Sequence, residues 1–289
     1  MSGAFDRDTA VRRLVRSSGA QAPAGERFVA DISPAWHAAR GPHGGYVAAI
    51  LLRALIDAAG DRERAPRSLT VHYARPAQPG GVEIHTALER LGRSLSTLSA
   101  RMEQDGELIA LALGAFSVPW SGPEMAELPM PTVGPPDEVR CTPRFLRERI
   151  DEGLAPRFLR QLVLQQRVGG IPFTGVEAAM EGGAWLGLAD AQRPLDAVAL
   201  AMFSDVGVPP PFTRLREPAM SSTVDLTVHF RTRLPSAGVR DPAELCFAQL
   251  CSRLVHEGFF EADGVIWAAD GTVLAQSRQL AILMPASRG

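Results

Sequence analysis

The stretch from Tyr46 to Ile56 is apolar on nearly every side, with little to face water before Arg53 and Asp57. A helix that is apolar all round is a buried helix. Gly44 and Gly45 precede it, and Gly60 marks its stop. The period then shortens to two. Leu69, Val71 and Tyr73 alternate with Thr70 and His72, the pattern of a half-buried strand. Residues 82–91, 94–103 and 108–118 continue as strands. The breaks between them fall at Pro76 to Gly81, at Gly92-Arg93 and at the hairpin signal Asp105-Gly106. A shorter strand is predicted at 27–32, ahead of the helix.

Residues 119–143 are rich in proline and read as an extended connector poor in hydrogen-bond donors. Beyond it the pattern returns in looser form. Strands are expected at 158–168 and 184–188, then a shorter apolar helix over 195–203 with Pro194 in its first turn. Asp205 lies at its end, and Pro209-Pro210-Pro211 forces a loop. Residues 223–232, 244–254, 258–268 and 273–283 complete the second set of strands.

The two sets are related. Leu69-Thr70-Val71-His72 comes back as Leu226-Thr227-Val228-His229, an offset of 157 (227 − 70), and an aromatic residue follows both times. Asp105-Gly106 comes back as Asp270-Gly271, an offset of 165 (270 − 105). The chain therefore reads as one module written twice, a fused pseudo-dimer and not a solenoid. The first module spans 1–120, a connector 121–150, and the second module 151–289.

Composition removes several function classes. The net charge of −2 and pI near 6.3 give no electrostatic footprint for nucleic acid. All 30 basic residues are arginine, so Schiff-base chemistry and the lysine-bearing phosphate loop are excluded. No apolar run is long enough to span a membrane, and the N-terminus has no signal core, so a cytoplasmic protein is expected. The cysteines Cys141, Cys246 and Cys251 form no CxxC; Cys246 and Cys251 should point to opposite faces of a strand and stay unbridged. There is no G-x-S-x-G elbow, no HExxH and no GxGxxG, so neither metal nor cofactor is expected.

One buried helix among long antiparallel strands is the layout of a hotdog module, an α+β fold; two copies make a double hotdog. The residues resemble the double-hotdog acyl-CoA thioesterases, the thioesterase II-like family. The likeness runs through Gly44-Gly45-Tyr46, the segment from Arg67 to Pro76, Gly92-Arg93-Ser94 and Gln104-Asp105-Gly106. In the second half it runs through Ser204-Asp205, the segment from Ser222 to Arg231, and that from Val273 to Gln279. The resemblance implies hydrolysis of a fatty acyl-CoA to free acid and CoA by a water held on an aspartate, a threonine and a glutamine. These fall on Asp205, Thr223 and Gln279.

Chemically, Asp205 can take a proton from water, while Thr223 and Gln279 each carry a donor and an acceptor to orient it. Taken singly, each is an ordinary helix-end or strand residue; together they suit the reaction. Backbone N–H groups at Gly44 and Gly45, at a helix start, would hold the thioester oxygen. In the first copy, Thr223 and Gln279 correspond by offset to Pro66 and Gly114, so one active site per chain is expected. His72 and His229 occupy equivalent places and are read as structural, and the loop residue His43 is likewise read as more structural than catalytic. The expected partner is the acyl-CoA substrate, with a possible homodimer through sheet edges. The alternatives are a non-catalytic acyl-thioester-binding module and a hotdog hydratase or dehydratase; the chain has no asparagine for the hydratase signature.

Overall fold

The computed structural model describes residues 3–14, 25–153, 155–175, 179–234 and 244–286. Strands of six residues or more are β1 (Glu26–Ile32), β2 (Ala65–Tyr73), β3 (Gly80–Leu91), β4 (Leu95–Gln104) and β5 (Glu107–Ser117) in the first half. The second half holds β6 (Leu162–Val168), β7 (Glu181–Leu188), β8 (Ala219–Phe230), β9 (Cys246–Cys251), β10 (Phe259–Trp267) and β11 (Val273–Pro285). The helices are α1 (Ala4–Asp8), α2 (Gly44–Ala59), α3 (Arg144–Asp151) and α4 (Ala197–Phe203).

These strands form one antiparallel sheet in the order β1-β3-β4-β5-β2-β8-β11-β10-β9-β7-β6. Read outward from the centre, β2-β5-β4-β3-β1 is matched by β8-β11-β10-β9-β7. The repeated tetrapeptide is the hinge of this symmetry. Leu69 faces Val228 and Val71 faces Leu226 across the β2–β8 junction. Thr70 faces Thr227, its own counterpart, and their hydroxyls hydrogen-bond at 3.1 Å. The four residues are the same twice because the segment pairs with itself across a pseudo-two-fold axis.

The sheet curls around α2, in which Gly45 to Leu52, Ala54 and Leu55 are buried. Each fully buried leucine, isoleucine or valine there contributes about 1.5–3 kcal/mol. The helix stops at Gly60, which takes the left-handed conformation at φ +65°. The shorter α4 packs against α2, and both helices belong to one hydrophobic core.

Four local expectations change. The strand expected over 158–168 begins as a 3-10 turn, Arg157–Gln161, which buries Phe158, and turns extended only at Leu162. The second helix starts at Ala197, after Pro194. Asp196 is the better start signal because its carboxylate accepts the Ala199 N–H at 2.8 Å. Two helices were missed: α1, and α3 just beyond the proline run, where Arg144 pairs with Glu148 one turn on. The connector is extended but docked. It lies on the outer face of the second half, where Trp185 Nε1 donates to Gly134 O and Trp267 Nε1 to Leu128 O. The three cysteines are free; Cys246 is buried and Cys251 partly exposed.

A charge cluster ties α1 to the start of α4. Asp6 accepts from Arg53 and, at 2.9 Å, from the buried Arg193, which also grips Asp196. Burial would raise the Asp6 pKa, but hydrogen bonds and charge from Arg193 and Arg53 outweigh it and hold it below its ordinary 3.8. The sign follows. A carboxylate with a depressed folded pKa contributes stability above its unfolded pKa and loses it as pH falls through the folded value. Asp6→Asn is therefore expected to melt below the wild type at pH 7, with the gap shrinking as pH drops below about 4. Thermal melts across that range check it; a gap that widens in acid refutes it.

Candidate active site

The two copies differ where the chemistry would be. In β8, residues 226, 228 and 230 point to the core while Thr227 and His229 point outward. By strict alternation Thr223 would point outward as well. It does not, because a β-bulge falls between Thr223 and Asp225: Asp225 faces Leu280 of β11, but Thr223 faces Ala281. The extra residue turns Thr223 to the inner face, which Gln279 shares. The Thr223 hydroxyl donates to Gln279 Oε1 at 3.0 Å, and Gln279 is only 7% exposed.

The first copy has the same bulge, between Pro66 and Ser68. There Leu69 faces Gly114 as Leu226 faces Gln279. The register thus makes Pro66 the counterpart of Thr223 and Gly114 that of Gln279. A side chain at Gly114 would sit 2.9 Å from the Phe116 ring and 3.2 Å from Leu55, so core packing fills the corresponding space.

Asp205 comes from the turn after α4 and reaches the other half of the molecule. Its Oδ2 accepts the N–H of Gly45, in the first turn of α2, at 2.9 Å. The unpaired N–H groups at a helix start and the helix dipole favour an anion there. The side chain is 9% exposed, and Oδ1 has no hydrogen-bond partner among the described residues. The contact needs two glycines. A Cβ on Gly44 would lie 2.7 Å from Asp205 Oδ2, and one on Gly45 would strike the carbonyl oxygen of Met202 in α4. The peptide is braced by Tyr73, whose hydroxyl donates to Gly44 O at 2.9 Å. Burial, then the Asp205 and Asp225 carboxylates, push the Tyr73 pKa well up, so it stays a neutral donor.

His43, the residue before α2, completes the group. Its Nε2 lies 3.0 Å from Asp205 O and 3.5 Å from Oδ2. Its ring stacks at a tilt on Phe158, with centroids 4.2 Å apart. Burial lowers its pKa against the opposing pull of Asp205, which favours a neutral ring.

The sequence-predicted residues thus fall into two clusters: Thr223 with Gln279, and Asp205 with Gly44 and Gly45. Among the described residues no hydrogen bond joins the clusters directly. They are neighbours through Ser277, two residues from Gln279 on the same strand, whose hydroxyl donates to Ser204 O at 3.4 Å. Gly45 differs from expectation, since its N–H is occupied by Asp205; Gly44 N–H has no partner among the described residues. Tyr73 was missed. Its signal was in the repeat, because its counterpart is Phe230 and the hydroxyl exists in one copy only. His72 and His229 are exposed and stand apart from the site. A groove of about 520 Å³ beside Arg12, Asp31, Glu83 and Asp105 contains none of these residues.

The acyl-CoA thioesterase N-terminal domain model matches residues 32–117, and the acyl-CoA thioesterase C-terminal domain model matches 130–283. The chain belongs to the acyl-CoA thioesterase family. It is a thioester hydrolase with a double-hotdog fold. Among solved structures it is similar to a conserved hotdog-fold protein of unknown function from Alicyclobacillus acidocaldarius, 26% identical over 99% of this chain and 100% of that one, with a TM-score of 0.81. A putative thioesterase II from Thermobifida fusca is 23% identical over 97% of each chain, with a TM-score of 0.74. An acyl-CoA thioesterase II from Mycobacterium marinum is 17% identical over 98% of this chain and 99% of that one, with a TM-score of 0.72. No curated protein matches the sequence. No helix among the described residues is long and apolar enough to cross a membrane.

Proposed function

We propose that this thioesterase hydrolyses a fatty acyl-CoA to free acid and CoA at one site per chain, by a water held on Asp205, Thr223 and Gln279. The observation that carries the reading is the bulge-turned Thr223–Gln279 hydrogen bond, whose counterparts in the first copy are Pro66 and Gly114. Asp205 Oδ1 takes the water's proton as the water oxygen bonds to the thioester carbon. The carbonyl oxygen gathers negative charge, and the unpartnered Gly44 N–H is the donor for it, while Gly45 N–H holds the base. Collapse breaks the carbon–sulfur bond, and the proton passes to the leaving thiolate. The scheme needs neither metal nor cofactor.

In this reading the first module (1–120) contributes scaffold and binding groups, the connector is 121–150, and the second module (151–289) contributes the catalytic side chains. A cytoplasmic location is part of this reading, since the three free cysteines suit a reducing compartment, and a place in lipid metabolism follows from the proposed fatty acyl substrate. The homodimer through sheet edges has no free strand at β6, where the Thr142 hydroxyl donates to Leu162 O and accepts the Leu164 N–H.

Thiol release from a panel of acyl-CoAs is the test. Thr223→Val and Gln279→Leu should each lower kcat by about 10-fold to 100-fold, less than loss of the base. The double variant should be little worse than the slower single one, because both side chains orient one water. Fully multiplicative losses would mean that the two act separately, and no thiol release from any acyl-CoA would sink the reading.

A further inference from the structure

His43 is held in one orientation at the expense of one of its nitrogens. Nε2 faces two oxygens of Asp205, a carbonyl at 3.0 Å and a carboxylate oxygen at 3.5 Å. Both accept hydrogen bonds, so the single proton of a neutral ring belongs on Nε2. Nδ1 is then a bare lone pair, and it is buried without a partner among the described residues. The side chain is 7% exposed. Buried polar atoms in folded proteins are almost always paired, and an unpaired one opposes folding. A phenyl ring would stack on Phe158 with no such penalty. Packing alone therefore does not account for an imidazole here, whereas a donor aimed at Asp205 does.

We propose that His43 is a positioning residue: its Nε2–H, bonded to the Asp205 backbone carbonyl, and the Gly45 N–H, bonded to Oδ2, together fix Asp205, leaving Oδ1 for the water. The inference rests on the reading of Asp205 as the base. A base must sit within hydrogen-bond reach of the proton it removes, and a displacement of about 1 Å is enough to cost roughly 100-fold. Two donors from consecutive elements, the residue before α2 and its first turn, remove the freedom that one would leave. Tyr73, braced on Gly44 O, holds the same peptide from the other side.

The test compares His43→Phe, His43→Gln and Asp205→Asn by steady-state thiol release and thermal melting. A glutamine amide nitrogen reaches the place of Nε2; a phenyl carries no donor. His43→Phe is expected to lower kcat by about 10-fold to 100-fold with KM within about twofold and a melting temperature near wild type. His43→Gln is expected to recover most of that loss. Should His43→Phe fail to fold, His43→Asn takes its place, since its shorter amide reaches only the Nδ1 position. Phe or Asn variants as fast as wild type, or a Gln variant as slow as they are, would overturn the proposal. The underlying reading fails separately: wild-type turnover in Asp205→Asn removes the base itself, whereas an inactive Asp205→Asn beside a fully active His43→Phe removes only the role of His43.

Discussion

Asp205→Asn is expected to lower kcat on acyl-CoA substrates by about 10²–10⁴-fold and to leave KM within a few-fold. The substitution keeps the shape of the side chain. An amide oxygen still accepts the Gly45 N–H, so the link between the turn after α4 and the start of α2 survives. What is lost is the ability to take a proton from water, needed only in the transition state. A loss confined to the transition state lowers kcat and kcat/KM together. The expected fall corresponds to about 3–5 kcal/mol at 1.36 kcal/mol per decade, close to what general-base help supplies. Steady-state thiol release near pH 7 measures it, with a thermal melt to show that the variant is folded. Near wild-type turnover on every acyl-CoA tested would make Asp205 a structural carboxylate that merely caps α2.

The fold was legible because its strongest signals are periodic and local. An all-apolar helix bounded by Gly45 and Gly60, and strands with period two, need no tertiary knowledge. The duplication was legible because Leu-Thr-Val-His pairs with its own copy, so symmetry constrains both sides of the contact to one sequence. The errors came where local signals competed. Pro194 and Asp196 both announce a helix start, and the side chain that can accept an N–H won. Phe158 continues an apolar run yet leaves the strand, because its ring is used against His43. The candidate site could be proposed from the sequence as residues but not as geometry. Nothing in the sequence marks the bulge that turns Thr223 inward, since a strand with one extra residue reads the same as one without it. The counterpart Pro66 was the nearest hint, because proline in a strand is confined to edges, strand starts and bulges. The tie of His43 and Gly45 to Asp205 spans about 160 residues and two modules, a distance over which periodicity is silent.

Gly45→Ala is expected to destabilise the protein by about 1–3 kcal/mol, as overpacking does, and to lower kcat by about 100-fold through misplacement of Asp205, the proposed base. Helix propensity alone predicts the opposite sign for stability, because alanine inside a helix is better than glycine by about 1 kcal/mol. Close approach decides against it. The added methyl would run into the Met202 carbonyl, with the Met202 carbonyl carbon and Asp205 Cβ each at 3.1 Å. These are backbone and near-backbone atoms, so no flexible tip can swing aside; α4 itself has to back away from α2. Asp205 rides on the end of α4, and its carboxylate leaves the helix start with it. Gly44→Ala separates the two effects. Its methyl meets the Asp205 carboxylate oxygen at 2.7 Å, the far end of a side chain that can rotate away. Gly44→Ala should therefore melt near wild type yet lose activity, whereas Gly45→Ala should lose both. Melting curves and kcat for the two variants, measured side by side, check this. A Gly45→Ala protein that melts above the wild type would show that the helices have room to spare, and that glycine is not what brings Asp205 to the start of α2.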